Sequence, residues 1–279
     1  MFDLTDKIAL VTGASRGVGK GITLGLAEAN TTVYVTGRTT EPGEGPEGLP
    51  GTVLDTAREA GKLGGKVIAV PCDHRDDSQV RRVFDRIFAE QEHLDILVNN
   101  VWGGYEGMAE NGKFTWSLPF WEQPLSRWDK MFQAGVRAHY VAGVLAARDM
   151  VRRKRGLIIN ISFWSAQKLI GNVPYGVAKA ATDKLTVYMA QELRPYNVAV
   201  ISLYPGLVRT ESVMRAAEFL DLSNSESPQF IGRAVAALAS DPDIMKHSGK
   251  VSVAAAIARE YGFTDIDGRQ PEPLTPDTV

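Results

Sequence analysis

The fold is decided by Thr12-Gly13-Ala14-Ser15-Arg16-Gly17-Val18-Gly19, a glycine-rich stretch that directly follows the apolar run 8–11. A segment of helical length, residues 19–30, comes next. Glycines permit a tight turn and let backbone N–H groups approach a phosphate at the positive end of a helix. A strand, a glycine-rich turn and a helix in this order predict a dinucleotide-binding βαβ unit, with a plain glycine-rich turn as the alternative.

The length and composition are those of an ordinary globular protein. The chain has 279 residues, enough for one large domain or two small ones. It carries 31 Lys and Arg against 33 Asp and Glu, and a net charge of −2 argues against general binding to nucleic acid or membrane surfaces. The single cysteine excludes a disulfide framework, and the four histidines lack metal-ligand spacing, so we expect no metal. We also expect a cytoplasmic location and no membrane span, because no long apolar run or export signal is present.

Seven short apolar runs alternate with segments of helical length. The runs are residues 8–11, 33–35, 67–70, 94–98, 157–161, 198–203 and 250–253, and the helical segments include 19–30, 78–92, 127–153 and 175–194. The runs are nearly continuous in Val, Ile and Leu, as in parallel strands that are covered on both faces. This alternation predicts an α/β fold with a doubly wound, Rossmann-type parallel sheet of seven strands.

Three segments interrupt the alternation. Residues 39–51 are rich in Gly and Pro, residues 101–126 are rich in aromatic side chains, and residues 207–228 follow a strand and a Pro-Gly turn. Loops of this length in a compact domain are usually functional or disordered, and the aromatic content argues against disorder in the second. We expect a single domain over residues 1–279, with residues 101–126 and the substrate loop 207–228 enclosing a mostly apolar ligand. Ordinary packing under long loops is the alternative.

The spacing Gly-x-x-x-Gly-x-Gly at Gly13, Gly17 and Gly19 resembles that of the short-chain dehydrogenase/reductase family. The resemblance covers nearly the whole chain. Its further positions are Asp73, Asn99, Asn100, Ser162, Tyr175, Lys179, Pro205 and Gly206. Segments 173–176, 183–185 and 261–269 are similar to the dehydrogenase/reductase member 1 subgroup of that family. The resemblance implies an oxidoreductase that moves a hydride between a nicotinamide dinucleotide and a carbonyl or alcohol group.

The end of the second predicted strand bears on the choice between NAD(H) and NADP(H). An acid there would bind the adenosine ribose hydroxyls, but the sequence has Gly37 and Arg38. A guanidinium pairs with a phosphate in a fork, and Arg16 adds a second cation, so we expect NADP(H) over NAD(H). Solvated surface arginines are the alternative, and Glu41 and Glu44 lie close enough in sequence to oppose a phosphate.

The resemblance also implies roles for single cofactor-binding residues. Asp73 would contact the adenine, Asn99 would stabilise the sheet end, and Thr210 would approach the nicotinamide carboxamide. The respective alternatives are a turn residue, a strand cap and a helix N-cap. The full expected set is Gly13, Ser15, Arg16, Gly17, Val18, Gly19, Arg38, Asp73, Asn99, Tyr175, Lys179, Pro205, Gly206, Val208 and Thr210.

Tyr175 and Lys179 are four residues apart at the start of a predicted helix, so they share a face. An ammonium beside a phenol favours the phenolate, and this lowering of the phenol pKa suits Tyr175 to general acid/base catalysis. The resemblance adds binding of the nicotinamide ribose by Lys179. It also gives Ser162 the role of polarising the substrate carbonyl, with a strand-terminal turn serine as the alternative.

The sequence departs from the family pattern at three points. Phe163 follows Ser162 where a second serine is common, which leaves Ser165 as a distant second choice for the active serine. Trp102 stands at a position beside the expected nicotinamide pocket where the family has a small residue. Gly135 occupies the position of the family's catalytic asparagine, so either the proton relay runs through water or a neighbouring group, or turnover is lowered.

Together these residues predict an NADP(H)-dependent oxidoreductase of the carbonyl reductase type, acting on hydrophobic ketones, aldehydes or alcohols. An NADP(H)-binding sensor or scaffold with little turnover is the alternative, and a lyase or epimerase is a third possibility on the same fold. The helices that begin near residues 127 and 174 carry apolar side chains on more than one face, so we expect a homodimer or homotetramer.

Overall fold

A parallel sheet of seven strands forms the centre of the computed structural model, which describes residues 2–110 and 112–279. The strands are β1 (Ile8–Val11), β2 (Thr32–Gly37), β3 (Lys66–Pro71), β4 (Ile96–Asn99), β5 (Gly156–Ile161), β6 (Val198–Tyr204) and β7 (Val251–Val253). Their order across the sheet is β3-β2-β1-β4-β5-β6-β7. The predicted doubly wound α/β fold is therefore confirmed. The strand order reverses between β1 and β4, the place where open α/β sheets bind ligands.

Nine α-helices flank this sheet within the described residues. They are α1 (Gly17–Glu28), α2 (Val53–Ala60), α3 (Asp77–Gln91), α4 (Leu125–Met131), α5 (Ala138–Arg153), α6 (Val173–Leu193), α7 (Glu211–Arg215), α8 (Pro228–Ser240) and α9 (Ala254–Tyr261). A π-helical segment, Phe132–Arg137, joins α4 to α5, so the segment predicted as one helix contains a widened turn. None of the described helices is long and apolar enough to cross a membrane.

Each face of the sheet carries its own apolar core. One core joins strand residues such as Val11, Val33 and Ile159 to α1, α8 and α9. The other joins Leu10 and Ile158, among others, to α3, α5 and α6. Burial of strand side chains on both faces explains why the sequence runs are continuous rather than alternating.

The strands are in register at the carboxyl edge of the sheet. Val11 of β1 lies opposite Val35 of β2 and Val98 of β4, and Asn99 of β4 lies opposite Asn160 of β5. Residues that follow these strands therefore meet at one edge. The glycine-rich turn follows β1, and the three interrupting segments follow β2, β4 and β6 at the same edge.

The interrupting segments contain short elements of their own. Residues 39–51 include a single 3₁₀ turn, Pro46–Gly48. Residues 101–126 include a two-stranded hairpin, Ala109–Glu110 with Lys113–Phe114, and a 3₁₀ turn at Phe120–Glu122. The 207–228 segment contains α7.

Two histidines, His74 and His139, are buried within the fold. Nε2 of His74 lies 2.8 Å from Oγ1 of Thr36, and Nε2 of His139 lies 3.1 Å from the carbonyl oxygen of Val101. Burial lowers the pKa of His74 to about 4 and that of His139 to about 3. The unfolded chain, with an ordinary histidine pKa near 6.5, thus binds more protons than the folded chain between about pH 6.5 and pH 4.

We predict that the free energy of unfolding falls as the pH drops from about 6.5 to 4. Each histidine accounts for a loss of up to about 2–3 kcal/mol in the free energy of unfolding by pH 4.5, because a shift of one pKa unit corresponds to about 1.4 kcal/mol. Urea denaturation at several pH values gives the free energy of unfolding as a function of pH. This free energy should fall less steeply with decreasing pH in His74→Gln than in the wild type. His93→Gln, at a partly exposed site, is the control. An equal dependence of the unfolding free energy on pH in the wild type and in His74→Gln would contradict the lowered pKa of His74.

Candidate active site

The glycine-rich turn after β1 has a backbone that only glycine adopts easily. Gly13 and Gly17 have φ values of +67° and +56°. A Cβ on Gly13 would lie 2.6 Å from Cα of Val101, so the turn packs tightly on the chain after β4. Nδ2 of Asn100 donates to the carbonyl oxygens of Thr12 and Gly13, both at 2.9 Å. Asn100 therefore holds the turn in place, a role that sequence reasoning missed although it noted the Asn99-Asn100 pair.

The N-terminus of α1 already holds an anionic group of the chain. The backbone N–H of Gly17 donates to Oε2 of Glu211 at 2.8 Å. A carboxylate at this point shows that the turn presents a backbone donor to an anion, as a dinucleotide pyrophosphate requires. The cradle therefore fits the dinucleotide predicted from the sequence.

The other turn residues and Thr210 have different surroundings. Ser15 is buried, Gly19 lies in the first turn of α1, and Val18 packs against the apolar core. Thr210 is the N-cap of α7, since its Oγ1 accepts from the N–H of Val213 at 3.3 Å. Its methyl group would lie 3.3 Å from a Cβ on Gly17, so Thr210 is both a helix cap and a neighbour of the turn.

The two arginines predicted to favour NADP(H) have different partners. The guanidinium of Arg38 forms an ion pair with Glu106 and is about 42% exposed. Arg16 donates instead to the carbonyl oxygens of Pro50 at 2.9 Å and Gly51 at 2.7 Å. Arg16 thus ties the 39–51 segment to the glycine turn, whereas Arg38 is held by a single carboxylate.

Asp73 and Asn99 are also engaged by the chain. The Asp73 carboxylate pairs with Arg75, with Nη2 at 2.6 Å, and this pairing lowers the pKa of Asp73. Asn99 is fully buried, and its Nδ2 donates to Oδ1 of Asn160 at 2.9 Å and to the carbonyl oxygen of His139 at 3.2 Å. Asn99 therefore ties β4 to β5 and α5. Asp73 is bound to a neighbour on its own loop.

Tyr175 and Lys179 lie in one compartment at the start of α6. Asn172 caps the helix by accepting from the N–H of Tyr175 at 3.1 Å, and Pro174 occupies the first turn. Tyr175 is 5% exposed and Lys179 is 6% exposed. Nζ of Lys179 donates to the carbonyl oxygen of Ile161 at 3.3 Å and lies 6.0 Å from the centroid of the Tyr175 ring.

Burial dominates the protonation of this pair. It raises the pKa of Tyr175 well above its ordinary value, and the neighbouring Tyr105 adds to this effect. It lowers the pKa of Lys179 to about 8, although the carboxylate of Asp183 opposes the shift. Burial therefore opposes the lowering of the Tyr175 pKa that the sequence leads us to expect from Lys179. Tyr175 is protonated at neutral pH, as a proton donor must be.

Ser162, which the resemblance implied would polarise the substrate carbonyl, forms a hydrogen bond to the backbone of α6. Its Oγ donates to the backbone carbonyl of Lys179 at 3.3 Å, and its hydroxyl also lowers the pKa of Asp183. The Ser165 hydroxyl is the serine group that lowers the pKa of Tyr175. It is buried and has no hydrogen-bond partner in the described part of the chain. Phe163, between the two serines, packs on Tyr175 with ring centroids 6.4 Å apart.

Aromatic side chains surround Tyr175. Ring centroids lie 5.8 Å away for Trp102, 6.0 Å for Tyr105 and 5.5 Å for Trp116. The hydroxyl of Tyr105 lies 3.0 Å from that of Tyr175. Sequence reasoning missed Tyr105 as a site residue, although the aromatic density of residues 101–126 was the signal. Other aromatic residues of the segment, Phe114, Phe120 and Trp121, are exposed and line no part of this cluster.

A buried arginine anchors the 101–126 segment on α4. Arg127 donates to the carbonyl oxygens of Thr115 at 2.9 Å and Gly107 at 3.1 Å. Its guanidinium also lies 5.5 Å from the centroid of the Trp116 ring, a cation–π contact. These contacts fix the segment on both sides of the hairpin and hold its aromatic residues over Tyr175.

Gly135 and Trp102 form one structural unit. A Cβ on Gly135 would lie 2.6 Å from Cζ3 of Trp102, so the indole fills the space that a larger residue would need. The same indole covers Lys179, with Nζ 4.2 Å from the ring centroid. The two departures from the family pattern thus depend on each other, since the large residue requires the small one.

The C-terminal segment holds the base of the 207–228 loop. The Asp265 carboxylate accepts from the N–H of Ser227 at 2.8 Å and from Nη2 of Arg209 at 3.1 Å. The N–H of Gly206, after the buried Pro205, donates to Oε2 of Glu226 at 2.7 Å. Burial raises the pKa of Glu226 to about 7. Val208 is buried and pairs with Glu226 through an isolated parallel bridge.

Comparison with known proteins identifies the family to which the chain belongs. A family model described as short chain dehydrogenase matches residues 7–221. The chain belongs to the short-chain dehydrogenase/reductase family. Dehydrogenase/reductase SDR family member 1 of Mus musculus is 41% identical over 280 residues, which cover 94% of this chain and 84% of the relative. The dehydrogenase/reductase described here is a member of that subgroup, as its C-terminal segment suggested.

Solved structures of short-chain dehydrogenases share the fold. A short-chain type dehydrogenase/reductase from Mycobacterium marinum has a TM-score of 0.73 and 28% identity, covering 90% of this chain and 95% of that one. A metagenomic short-chain oxidoreductase in complex with NADP has a TM-score of 0.68 and 25% identity, covering 90% and 96%. Both likenesses cover 90% of this chain and show that the fold is shared.

We predict that Gly135→Ala lowers the free energy of unfolding by about 1–2 kcal/mol, because the new methyl group overpacks against Trp102. In a Trp102→Ala background the same change should be neutral or stabilising, since alanine has the higher helix propensity. Urea denaturation of the wild type, the two single variants and the double variant gives the coupling free energy between positions 102 and 135. Gly61→Ala, at a site with nothing within 4 Å, is the control. Equal effects of Gly135→Ala in both backgrounds would contradict the pairing.

Proposed function

We propose that the protein is an NADP(H)-dependent oxidoreductase of the carbonyl reductase type, which interconverts a ketone or aldehyde and an alcohol on a hydrophobic small molecule. The observation that carries the proposal is the buried, protonated Tyr175, with Lys179 beside it at the sheet edge that holds the glycine turn. Membership of the short-chain dehydrogenase/reductase family supports the reaction class. Its similarity to an oxidoreductase in complex with NADP supports the cofactor.

The residues that would hold the cofactor are those of the glycine turn and its surroundings. The turn from Gly13 to Gly19 would bind the pyrophosphate at the N-terminus of α1. Arg38 would bind the adenosine 2′-phosphate, and Asn99, Pro205 and Gly206 would shape the sheet edge below the nicotinamide. When bound, NADPH supplies the hydride.

The proton chemistry belongs to Tyr175 and Lys179. Since burial raises the pKa of Tyr175, the phenol keeps its proton at neutral pH and can give it to the substrate oxygen as the alkoxide forms. Lys179 is positively charged below its pKa of about 8 and stabilises the phenolate that results. This arrangement favours reduction of a carbonyl at neutral pH. With Gly135 at the family's asparagine position, the proton returns to Tyr175 through water.

The walls of the site favour an apolar substrate. Trp102, Tyr105, Trp116 and Phe163 surround the Tyr175 ring. Such walls exclude water and strengthen hydrogen bonds to the reacting oxygen. A small charged oxo-acid would lose its hydration against these rings without gaining a counter-ion from them.

An NADP(H)-binding sensor or scaffold with little turnover is the second candidate. Two observations favour it: the Ser162 hydroxyl is taken by the Lys179 carbonyl, and Gly135 has no side chain to join a proton relay. A sensor, however, has no use for a buried phenol beside an ammonium, since desolvation of both groups costs free energy and a sensor transfers no proton. Carbonyl reduction therefore remains the first proposal.

We also propose that the protein is a homodimer or homotetramer. The outer face of α5 and α6 carries half-exposed apolar side chains, among them Tyr140, Val177 and Val187. An open apolar groove lies between the two helices, lined by Phe132, Val136, Ala181 and Leu185 among others. Apolar surface on a helix pair that already covers the sheet with its other face suits association with a second copy.

We predict that Tyr175→Phe abolishes ketone-dependent oxidation of NADPH, with a fall of roughly 10³-fold, because no other donor replaces the phenol proton. The assay follows NADPH absorbance with a panel of hydrophobic ketones, and NADPH fluorescence measures cofactor binding. Tyr188→Phe, an exposed tyrosine of the same helix, is the control. Full activity of Tyr175→Phe would remove Tyr175 from the mechanism, whereas NADPH binding without turnover of any ketone would favour the sensor.

We predict that Arg38→Asp weakens NADPH binding by about 100-fold and shifts preference towards NADH, since it removes a phosphate partner and adds a like charge. Glu106→Gln should act in the opposite direction and tighten NADPH binding a few-fold, because the Glu106 carboxylate pairs with the same guanidinium. Fluorescence titration with both dinucleotides measures the effects, and the exposed Arg58→Asp is the control. An unchanged preference in Arg38→Asp would contradict the NADP(H) assignment.

A further inference from the structure

We propose that Tyr105 is a second catalytic hydroxyl, which donates a hydrogen bond to the carbonyl oxygen of the substrate beside Tyr175. It would take the part that the family resemblance gives to Ser162. The inference rests on the proposed carbonyl reduction and adds to it a donor carried by the 101–126 segment.

The distance between the two phenols carries the inference. The hydroxyl oxygens of Tyr105 and Tyr175 are 3.0 Å apart. Two O–H donors this close can converge on one acceptor, because a carbonyl oxygen has two lone pairs and accepts at about 2.7–2.8 Å from each donor. A carbonyl oxygen on the Tyr105 side of the Tyr175 hydroxyl can therefore accept from both phenols.

The protonation and exposure of Tyr105 suit this role. The residue is 49% exposed, and desolvation of its phenol raises the pKa of Tyr105. Tyr105 thus keeps its proton at neutral pH and acts only as a hydrogen-bond donor.

The backbone just after Tyr105 is anchored. The N–H of Gly107 donates to Oε1 of Glu47 at 3.2 Å. The carbonyl of Gly107 accepts from Arg127 at 3.1 Å. A hydroxyl fixed in this way needs little reorganisation during the reaction, which is the condition for effective stabilisation of a developing oxyanion.

The serines offer weaker candidates for the same role. The Ser162 hydroxyl donates to the Lys179 carbonyl at 3.3 Å, and Phe163 follows it with no donor. Ser165 is buried near Tyr175, and its hydroxyl lowers the pKa of Tyr175, but it has no hydrogen-bond partner of good geometry among the described residues. The Tyr105 hydroxyl lies 3.0 Å from that of Tyr175. Ser165 is therefore the alternative that the experiment must separate from Tyr105.

In the proposed step the carbonyl carbon accepts the hydride, and the π electron pair of the C=O bond moves onto the oxygen. The proton of Tyr175 transfers to that oxygen and gives the alcohol. Tyr105 keeps its own proton throughout, and its hydrogen bond strengthens as negative charge develops. The Tyr175 phenolate, stabilised by Lys179, then takes a proton from solvent. Bound NADPH would supply the hydride, and with it the two electrons that the carbonyl group gains.

The test compares Tyr105→Phe, Ser165→Ala and Ser162→Ala in steady-state reduction of one ketone that the wild type accepts. We expect Tyr105→Phe to lower kcat by about 100-fold, the usual cost of one oxyanion donor, with KM and the NADPH Kd within two-fold of the wild type. Ser165→Ala and Ser162→Ala should keep kcat within a few-fold. Tyr140→Phe, which removes an exposed phenol hydroxyl from α5, controls for the substitution itself.

A purely structural role would raise KM or the NADPH Kd together with the loss of kcat, and that result overturns the proposal. So does a Tyr105→Phe variant that keeps its kcat while Ser165→Ala loses it. Tyr175→Phe is run alongside: if it is inactive while Tyr105→Phe has full activity, only the role of Tyr105 falls. A wild type that reduces no carbonyl overturns both proposals.

Discussion

Removal of water from Tyr175 and Lys179 is the constraint on which the site depends. Burial moves the two pKa values in opposite directions, up for the phenol and down to about 8 for the ammonium. Each shift favours the neutral form, so the pair carries less charge than two exposed groups would. The fold maintains this state with the aromatic rings around Tyr175 and with the N-cap that starts α6. A phenol held in this way suits proton donation better than proton removal.

The aromatic enclosure explains why this chain differs from its family pattern at several positions together. The indole of Trp102 covers Lys179 and occupies the space beside Gly135. A branched polar residue at position 135 and this indole exclude each other. The 101–126 segment then adds Tyr105 and Trp116, while Arg127 anchors the segment from below. The substitutions are parts of one rearrangement, in which a polar relay position is exchanged for an apolar cover over the ammonium.

Sequence patterns predicted the sheet, its strand number and the residues that meet at its carboxyl edge, because these depend on local periodicity and on short spacings. They did not predict the direction of the Tyr175 pKa shift, which depends on burial by a distant segment. The orientation of the Ser162 hydroxyl and the 3.0 Å approach of Tyr105 were also beyond reach. Both depend on how residues from separate loops pack, and no spacing along the chain encodes this. The ion pair between Arg38 and Glu106, which are 68 residues apart in the sequence, also depends on the packing of separate loops.

The C-terminal segment has a further consequence through Asp265. Its carboxylate binds both Arg209 and Ser227, near the two ends of the 207–228 loop, so it closes that loop into a ring. This contact ties the two ends of the loop together, while Glu211 of α7 binds the N–H of Gly17, so the loop is held at its ends and in its middle. A change at Asp265 would therefore loosen both ends of the loop at once, although the residue lies outside it.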